Sequence, residues 1–155
     1  MNFSLDKSIE VLQNTPHFTS ALLQNLSPDW TTKNEGESTW NAKEVLAHLI
    51  VCEETDWIPR ARIILSESSS KTFTPIDMEA HFAIAKNNTL EELLKEFKKL
   101  RKQSIIELLG YNLNENDYKR TAIHPKIGEV NLQQLIATWV THDLTHIAQI
   151  VRVIA

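Results

Sequence analysis

Three capping boxes divide the sequence into long helical segments. In each box a residue that favours the N-cap precedes Glu or Gln by three positions, and each side chain can satisfy a backbone N–H of the other residue. The boxes pair Asn41 with Glu44, Thr89 with Glu92, and Asn131 with Gln134. Only three glycines occur among the 155 residues, which disfavours turn-dense β folds. The sequence therefore constrains the chain to a mainly helical fold.

Apolar residues recur at helical spacing in four segments. These cover roughly residues 4–26, 41–65, 89–110, and 131 to the C-terminus. Pro16 is expected to bend or interrupt the first helix, and Pro59 to kink the second. Gly110 is placed to end the third. Four amphipathic helices of similar length pack most simply as an up-and-down four-helix bundle, so we predict an all-α fold with a single domain over residues 1–155.

Two long connections join these helices. Residues 66–88 contain a short helical pattern around residues 77–86, and residues 111–130 are expected to form a small hairpin. Loops longer than about 12–15 residues in a compact domain often cover a functional site. We therefore expect the second connection to cover the end of the bundle that lies nearest the functional residues.

Charge and composition argue against several classes of partner. The formal net charge is −4 and the pI is about 5.9, so a nucleic-acid backbone would find no broad basic surface. No apolar run approaches the ~18–20 residues that span a bilayer. The single cysteine, Cys52, excludes an internal disulfide and fits a reducing compartment. The sequence predicts a cytoplasmic protein with neither a nucleic-acid nor a membrane partner.

Two histidines lie one helical turn apart in the last helix. His142 and His146 lie on the apolar stripe of this helix, so both are expected to face the core. Burying two imidazoles is unfavourable unless each finds a polar partner. A shared divalent metal would provide one partner for both. The alternative is a pair of hydrogen-bonded or half-exposed histidines, which the spacing alone does not exclude.

The segment HDLTH shares its spacing with the zinc-protease motif. That motif requires Glu after the first histidine as a general base. Here the position is Asp143, whose side chain is shorter, and none of the nine residues after His146 is His, Asp, Glu or Cys. We therefore reject a protease-like role, and a third ligand must come from earlier in the chain.

The best candidate for a third ligand is His48, which lies on the apolar stripe of the second helix. We expect the second and fourth helices to run parallel in an up-and-down bundle. His48 lies seven residues past its N-cap, and His142 and His146 lie 11 and 15 residues past theirs. At ~1.5 Å per residue the offset is roughly 6–12 Å, which unequal loops can absorb. Three neutral nitrogen ligands would leave a fourth position open, as in catalytic sites.

The remaining histidines are weaker candidates. His17 lies off the apolar stripe of the first helix, beside Pro16, and His81 is expected to be solvated in the first connection. His124 lies in the connection that precedes the last helix. We expect His124 to belong to a turn, with the lining of a cavity mouth as the alternative.

Polar residues one turn from the histidines are candidate supporting groups. Cys52 follows His48 by four residues and is expected to be a small buried residue, with a fourth ligand or a reactive thiol as alternatives. Glu44 is explained by its capping box, with a hydrogen bond to a ligand as the alternative. Gln149, one turn past His146, could orient a ligand or a bound water. Three further residues of interest, expected to be core anchors, are Trp40, Trp57 and Trp139.

The chain resembles the DinB/YfiT-like superfamily over nearly its whole length. Its second helix carries WNAKEVLAH and its last helix carries HDLTHIAQ, and the combination of the two, in this order and spacing, is fairly specific. The resemblance implies a four-helix bundle that holds a divalent metal, nickel or zinc, by three histidines. The family ligands match His48, His142 and His146, and all three positions are filled.

Characterised members of this family are glutathione- or mycothiol-dependent maleylpyruvate isomerases and bacillithiol S-transferases. The resemblance therefore implies a metal-dependent thiol S-transferase, in which a low-molecular-weight thiol attacks an electrophilic small molecule, and it suggests a homodimer. Two alternatives stay open: a hydrolase that uses the same site with water, and a non-catalytic stress-associated protein that binds a metal or small molecule. The sequence identifies no general base. It also does not show whether the site gathers any of the cations Arg60, Arg62, Lys126 and Arg152.

Overall fold

The computed structural model describes residues 3–155, which form seven α-helices, a short 3-10 helix and two β-strands. The α-helices are α1 (Leu5–Leu23), α2 (Pro28–Thr31), α3 (Ala42–Thr55), α4 (Trp57–Leu65), α5 (Ala80–Asn87), α6 (Leu90–Gly110) and α7 (Leu132–Ile154). The 3-10 helix spans Asp117–Lys119, and the strands are β1 (Thr121–His124) and β2 (Gly128–Asn131). The long segments α1, α3–α4, α6 and α7 pack together, which confirms the predicted all-α four-helix bundle. None of the described helices combines the length and hydropathy that a membrane crossing requires.

All three predicted capping boxes form, and they fix where α3, α6 and α7 begin. In each box the cap side chain accepts a hydrogen bond from the third helical residue, whose own side chain accepts one from the cap N–H. The two hydrogen bonds between Asn41 and Glu44 are both 2.9 Å long. The capping role of Glu44 is therefore the one that the structure shows. α6 ends at Gly110, as predicted.

The two helical prolines differ in their effect. Pro16 lies buried inside α1, which is continuous, so of the predicted bend or interruption the interruption is wrong. α1 ends three residues earlier than predicted, and Asn25 then takes a positive φ of 65°. The second helix breaks at Asp56, close to the kink that we predicted near Pro59. Pro59 lies in the first turn of α4, where its missing N–H costs no intrahelical hydrogen bond.

α3 and α7 run in opposite directions, so the parallel arrangement that we expected for the second and fourth helices is wrong. Val45, near the start of α3, belongs to the same core cluster as Ile150, near the end of α7. Trp57, at the start of α4, stacks on Trp139 in the first half of α7, with ring centroids 5.7 Å apart. Residue numbers rise along α3–α4 where they fall along α7, and the helices are therefore antiparallel.

α6 runs parallel to α3–α4. Glu53 in α3 accepts hydrogen bonds from Arg101, midway along α6, and Glu107, nearer the end of α6, accepts them from Arg62 in α4. Two consecutive helices that point the same way must be joined by a connection that returns along the bundle. This requirement explains the length of the 66–88 connection.

α1 packs against α6 and α7. Leu23, at the end of α1, shares a core cluster with Leu93, near the start of α6, so these two helices are antiparallel. The chain thus runs one way along α1, the other way along α3–α4 and α6, and back along α7. Consecutive helices do not alternate in direction, so the up-and-down topology that we expected is wrong. The N-terminal halves of α3 and α6 therefore lie at the same end of the bundle as the C-terminal half of α7.

The two long connections meet over one side of the bundle. β1 and β2 form the predicted antiparallel hairpin, with Ala122 opposite Val130. The first connection pairs with this hairpin, because the Ile123 N–H donates to the Lys71 carbonyl and the Phe73 N–H donates to the Ile123 carbonyl. The predicted short helix in the first connection is α5, which packs against α3.

Candidate metal centre

Three histidine side chains converge between α3 and α7. The Nε2 atoms of His48 and His142 lie 3.1 Å apart, and His146 lies one turn further along α7. One ring nitrogen from each of the three lies within 4.8 Å of the other two. His48 is buried, while His142 and His146 are half-buried, and all three line a cavity. The structure therefore brings together the three residues singled out as candidate ligands, at a spacing that suits a single divalent cation.

The antiparallel packing places these histidines at the same depth. His48 lies seven residues after Asn41, the N-cap of α3, and His146 lies eight residues before Ile154, the end of α7. Measured from the same end of the bundle, the two differ by about one residue, or ~1.5 Å. The expected parallel arrangement required unequal loops to absorb a much larger offset. The antiparallel direction removes that requirement.

Burial keeps the three imidazole rings neutral. Burial first, and then the other histidines, lowers the pKa of His48 to about 4 and the pKa of His142 to about 3. Burial also lowers the pKa of His146, although the hydrogen bond with Gln149 opposes this shift. At neutral pH each ring therefore keeps a lone pair, which is the form of histidine that binds metals.

Gln149 orients His146. Its Oε1 atom lies 2.8 Å from Nδ1 of His146 and accepts a hydrogen bond. Because Nδ1 then carries the proton, the lone pair on Nε2 is available to a ligand. The position of Gln149 one turn along the helix had suggested this role. Nδ1 of His142, in contrast, is buried and has no hydrogen-bond partner among the described residues.

Cys52 is in contact with two of the histidines. Its Sγ atom is 3.5 Å from Nε2 of His48 and 3.8 Å from Nε2 of His142. Burial, with Asp56 and Glu53 nearby, raises the pKa of the Cys52 thiol. The predicted small buried residue is confirmed, and its burial favours the protonated form of the thiol. The ligand atoms that all lie within 4.8 Å of one another come from His48, His142 and His146. Cys52 does not belong to this set.

His81 is buried beside the site, so the prediction that it is solvated is wrong. α5 packs against α3 and leaves His81 with 0% exposure. The Trp40 ring contacts His81, with centroids 4.2 Å apart, and it also packs on His48 and stacks on His146. Neither ring nitrogen of His81 makes a well-formed hydrogen bond within the described residues. The sequence signal for burial was the helical spacing of His81 and Ile84, which both face the core.

Asp143 faces the core and not the histidines. Arg101 lies between Asp143 and Glu53, and its guanidinium donates five hydrogen bonds of 2.6–3.0 Å to these two carboxylates and to the Leu12 carbonyl. The Trp139 indole N–H also donates to Glu53. All three charged side chains are at most 2% exposed. Asp143 thus joins α7 to α6 and α3, and it is not available as a general base, in agreement with our rejection of a protease-like role.

A cavity of about 630 Å³ lies beside the three histidines. Its walls come from α3, α4, α7 and the two long connections. His124, at the end of β1, lines this cavity, and its Nδ1 also accepts the Lys126 N–H in the hairpin turn. His124 is thus the strand residue that directly precedes the turn and not part of the turn itself, and the alternative that it lines the cavity describes it. His17 is exposed on α1 and does not line the cavity. Most of the lining is apolar and includes Trp40, Trp57, Phe73, Ile76, Ile127 and Leu135.

Two of the four candidate cations reach the cavity. Arg60 and Lys126 line its wall. Arg62 and Arg152 instead form ion pairs at the surface, with Glu107 at 2.6 Å and with a glutamate before α3 at 2.7 Å. The cavity therefore joins the histidines to mostly apolar walls and to positive charge on the α4 and hairpin side.

Comparison with known proteins is consistent with this geometry. The profile of the DinB superfamily matches residues 12–150. No curated protein matches the sequence.

Three solved structures share the fold. YfiT from Bacillus subtilis, described as a probable metal-dependent hydrolase with an unusual four-helix bundle topology, matches with a TM-score of 0.80 and 20% identity, over 98% of this chain and 88% of that chain. TT2238, described as a four-helix bundle protein, matches with a TM-score of 0.64 and 19% identity, over 96% and 99%. A mycothiol-dependent maleylpyruvate isomerase matches with a TM-score of 0.61 and 10% identity, over 97% of this chain and 63% of that chain. Because the sequence identities are only 10–20%, these three matches show that the chain has the same fold and nothing about its activity. Because the family profile covers most of the sequence and the fold agrees, the chain belongs to the DinB superfamily.

Proposed function

We propose that this protein is a metal-dependent enzyme that transfers a low-molecular-weight thiol to an electrophilic small molecule. The observation that carries the proposal is the convergence of three neutral histidines on the wall of a 630 Å³ cavity. Three protein ligands with a further position open to substrate are typical of catalytic metal sites. The cavity volume also falls in the range of about 300–1,000 Å³ that is usual for small-molecule sites.

The proposed cofactor is a divalent metal, nickel or zinc. His48, His142 and His146 would hold it, since neutral imidazole nitrogens suit both metals. When bound, the metal would supply a positive charge that lowers the pKa of a thiol or a water and so makes it a nucleophile at neutral pH. Gln149 would keep the His146 ring in the orientation that ligation requires.

The proposed reaction forms a bond between sulfur and an electrophilic carbon. The thiol releases its proton to solvent, and its sulfur then attacks the carbon. With an organic halide, the carbon–halogen bond breaks and the halide leaves with the bonding pair. With an epoxide, the carbon–oxygen bond breaks and the oxygen takes up a proton. The apolar walls near Trp57 and Phe73 would bind the hydrocarbon part of the electrophile.

A metal-dependent hydrolase is the second candidate, and the description of YfiT as a probable metal-dependent hydrolase favours it. Water would then take the place of the thiol. Hydrolytic sites of this kind commonly use a carboxylate as general base. Among the described residues, the one carboxylate that lines the cavity is Asp56, which lies two turns from His48 and 2.9 Å from Arg60. This placement favours the thiol, because a free thiol with a pKa of about 8.5 needs a much smaller shift to ionise at neutral pH than water with a pKa of about 15.7.

We also propose that the protein acts in the cytoplasm and forms a homodimer. The cytoplasmic location rests on the single cysteine, and the homodimer rests on the family resemblance. Light scattering of the purified protein would test the homodimer, for which a monomeric mass is the contradicting result.

The experiment that tests the enzyme proposal uses protein loaded with nickel or zinc. An aryl halide or an epoxide is supplied with glutathione or another cellular thiol, and thioether formation is followed by mass spectrometry. We expect metal-dependent turnover that His48→Ala abolishes together with metal binding. His17→Ala is the matched control, because His17 is an exposed histidine on α1 that does not line the cavity.

A panel of esters and amides without thiol distinguishes the second candidate. Turnover of this panel, with none of the thiol reactions, would favour the hydrolase. If metal-loaded protein converts neither panel, the enzyme proposal is wrong, and a non-catalytic binding role would replace it.

A further inference from the structure

Four polar side chains follow one another at intervals of four residues along α3 and α4. His48, Cys52, Asp56 and Arg60 all line the same cavity, although the helix breaks at Asp56. The stripe leads from the candidate metal centre toward the hairpin. Arg60 therefore lies at the opposite end of the polar wall from the histidines.

The hydrogen-bonding capacity of Arg60 is largely unused. Its side chain is 9% exposed, and its one close polar contact is Nη2 to Oδ1 of Asp56 at 2.9 Å. Its Nε atom is buried and has no hydrogen-bond partner among the described residues. A guanidinium carries five N–H donors, and buried donors are nearly always satisfied.

Arg101 provides an internal comparison for a purely structural role. It is another buried arginine, and it donates five hydrogen bonds to protein oxygens. Arg101 lies in the core and lines no cavity wall near the histidines. Arg60 has one ionic contact and lines the cavity. If Arg60 served only to stabilise the fold, we would expect it to be as fully hydrogen-bonded as Arg101.

We propose that Arg60 forms a subsite for a carboxylate on the small molecule that the three histidines engage at its other end. The inference rests on the proposed function and specifies its substrate class, namely a thiol that carries a carboxylate. Arg60 is held in place by Asp56 and by the Phe73 ring, whose centroid is 5.2 Å from the guanidinium carbon. Its planar fork matches the two oxygens of a carboxylate.

The local charge favours a group with a single negative charge. Arg60 and Lys126 bring two positive charges to this part of the wall, and Asp56 offsets one of them. The remaining net charge of plus one suits a carboxylate better than a dianionic phosphate. Lys126 is exposed at the rim, so its contribution is screened by salt more than that of the buried Arg60.

The distance between the two ends sets the length of the ligand. The Arg60 side chain reaches back one turn to Asp56, which lies two turns beyond His48. Two turns of helix correspond to about 11 Å. A short thiol acid such as mercaptohexanoate has roughly the length to place its sulfur at the histidines and its carboxylate at Arg60.

The test measures binding to zinc-loaded protein by calorimetry. The probes are thiol acids from mercaptopropionate to mercaptohexanoate, the matched thiol alcohols, and hexanoate, which has no thiol. We expect the best acid to bind roughly ten- to a hundred-fold more tightly than its alcohol, as for a charge-assisted hydrogen bond. In Arg60→Met the ratio of the affinity for the acid to the affinity for the alcohol should fall to about one. Arg62→Met should keep it, because Arg62 lies on the same helix but pairs with Glu107 outside the cavity.

A second variant keeps the test decisive if Arg60→Met does not fold. Arg60→Lys keeps the positive charge and removes the planar fork that matches the two carboxylate oxygens. We expect Arg60→Lys to reduce the preference for the acid several-fold.

The outcomes separate this inference from the proposed function. If acid and alcohol bind equally to the wild type, or if neither variant changes the preference, the inference is overturned while thiol binding stands. If hexanoate binds in an Arg60-dependent manner and the thiol adds nothing, the carboxylate subsite is supported and the thiol function is wrong. If no carboxylate binds, the inference is overturned.

Discussion

The Nε2 atoms of His48 and His142 lie 3.1 Å apart, although 94 residues separate them in the sequence. The antiparallel helices α3 and α7 pack side by side and bring the two rings together. Both rings are neutral at neutral pH, and a hydrogen bond between the facing nitrogens requires that one ring carry its proton on Nε2 and the other on Nδ1. A divalent cation would accept both Nε2 lone pairs at once. Protonation of either ring removes one of these lone pairs, so acid opposes this arrangement.

We expect the metal-free protein to lose stability as the pH falls from about 6.5 toward 4. The pKa of His48 is lowered to about 4 and that of His142 to about 3, whereas an unfolded histidine titrates near 6.5. Between these values the unfolded chain binds more protons than the folded chain, so acid favours unfolding, and the histidine contribution is fully present only above about 6.5. Urea denaturation at a series of pH values measures this dependence.

Variants of the same experiment assign the effect to the site. His48→Gln should flatten the pH dependence of the free energy of unfolding, while His17→Gln on the exposed face of α1 should leave it unchanged. An equally steep profile in His48→Gln would contradict the assignment.

Cys52→Ala should keep the metal site. The Cys52 sulfur lies beside two of the histidines, at 3.5 and 3.8 Å, but the three imidazoles already form the set of mutually close ligand atoms. We expect the metal affinity to fall by at most about 10- to 100-fold, as for a residue that supports ligands without binding the metal. Metal content and competition titration with a chelator measure it. A loss as complete as that in His48→Ala would instead make the Cys52 thiolate a fourth ligand.

Arg101→Met should destabilise the protein strongly. Removing the guanidinium leaves Glu53 and Asp143 buried without a counter-ion, and breaking a buried ion pair in this way costs about 3–5 kcal/mol. Denaturant unfolding measures the change. Lys99→Met is the matched control, because the Lys99–Glu96 pair lies on the surface of the same helix and should contribute little. Equal stability of the two variants would rule out a structural role for the buried cluster.

The starts of three long helices were predictable because capping boxes are local. Asn41 and Glu44 lie three residues apart, so their reciprocal hydrogen bonds depend on little else in the chain. The helix directions were not predictable in the same way. They depend on where the 66–88 connection crosses the bundle, and that crossing is fixed by distant pairs such as Ile123 with Phe73.

In the candidate site, too, local features were predictable from the sequence and features set by tertiary packing were not. His48, His142 and His146 stood out by spacing and by family resemblance, and the structure brings them together. His81 was missed because its environment comes from the packing of α5 on α3. Arg60 could be named in the sequence but not placed, since its access to the cavity depends on the break at Asp56 and on the hairpin. Local pattern thus identified the candidate ligands, and tertiary packing determined the rest of the cavity.

His81→Phe should leave both the metal site and the fold intact. His81 is fully buried against Trp40 and Phe82, with ring centroids 4.2 and 4.0 Å away, and its nitrogens make no well-formed hydrogen bond within the described residues. An apolar ring of similar shape therefore removes polar atoms that gain little from burial, and we expect unchanged or higher stability. His81→Ala should instead leave a void and cost about 2–5 kcal/mol. Thermal unfolding and metal content measure both effects. Loss of the metal in His81→Phe, with the fold retained, would place His81 among the ligands.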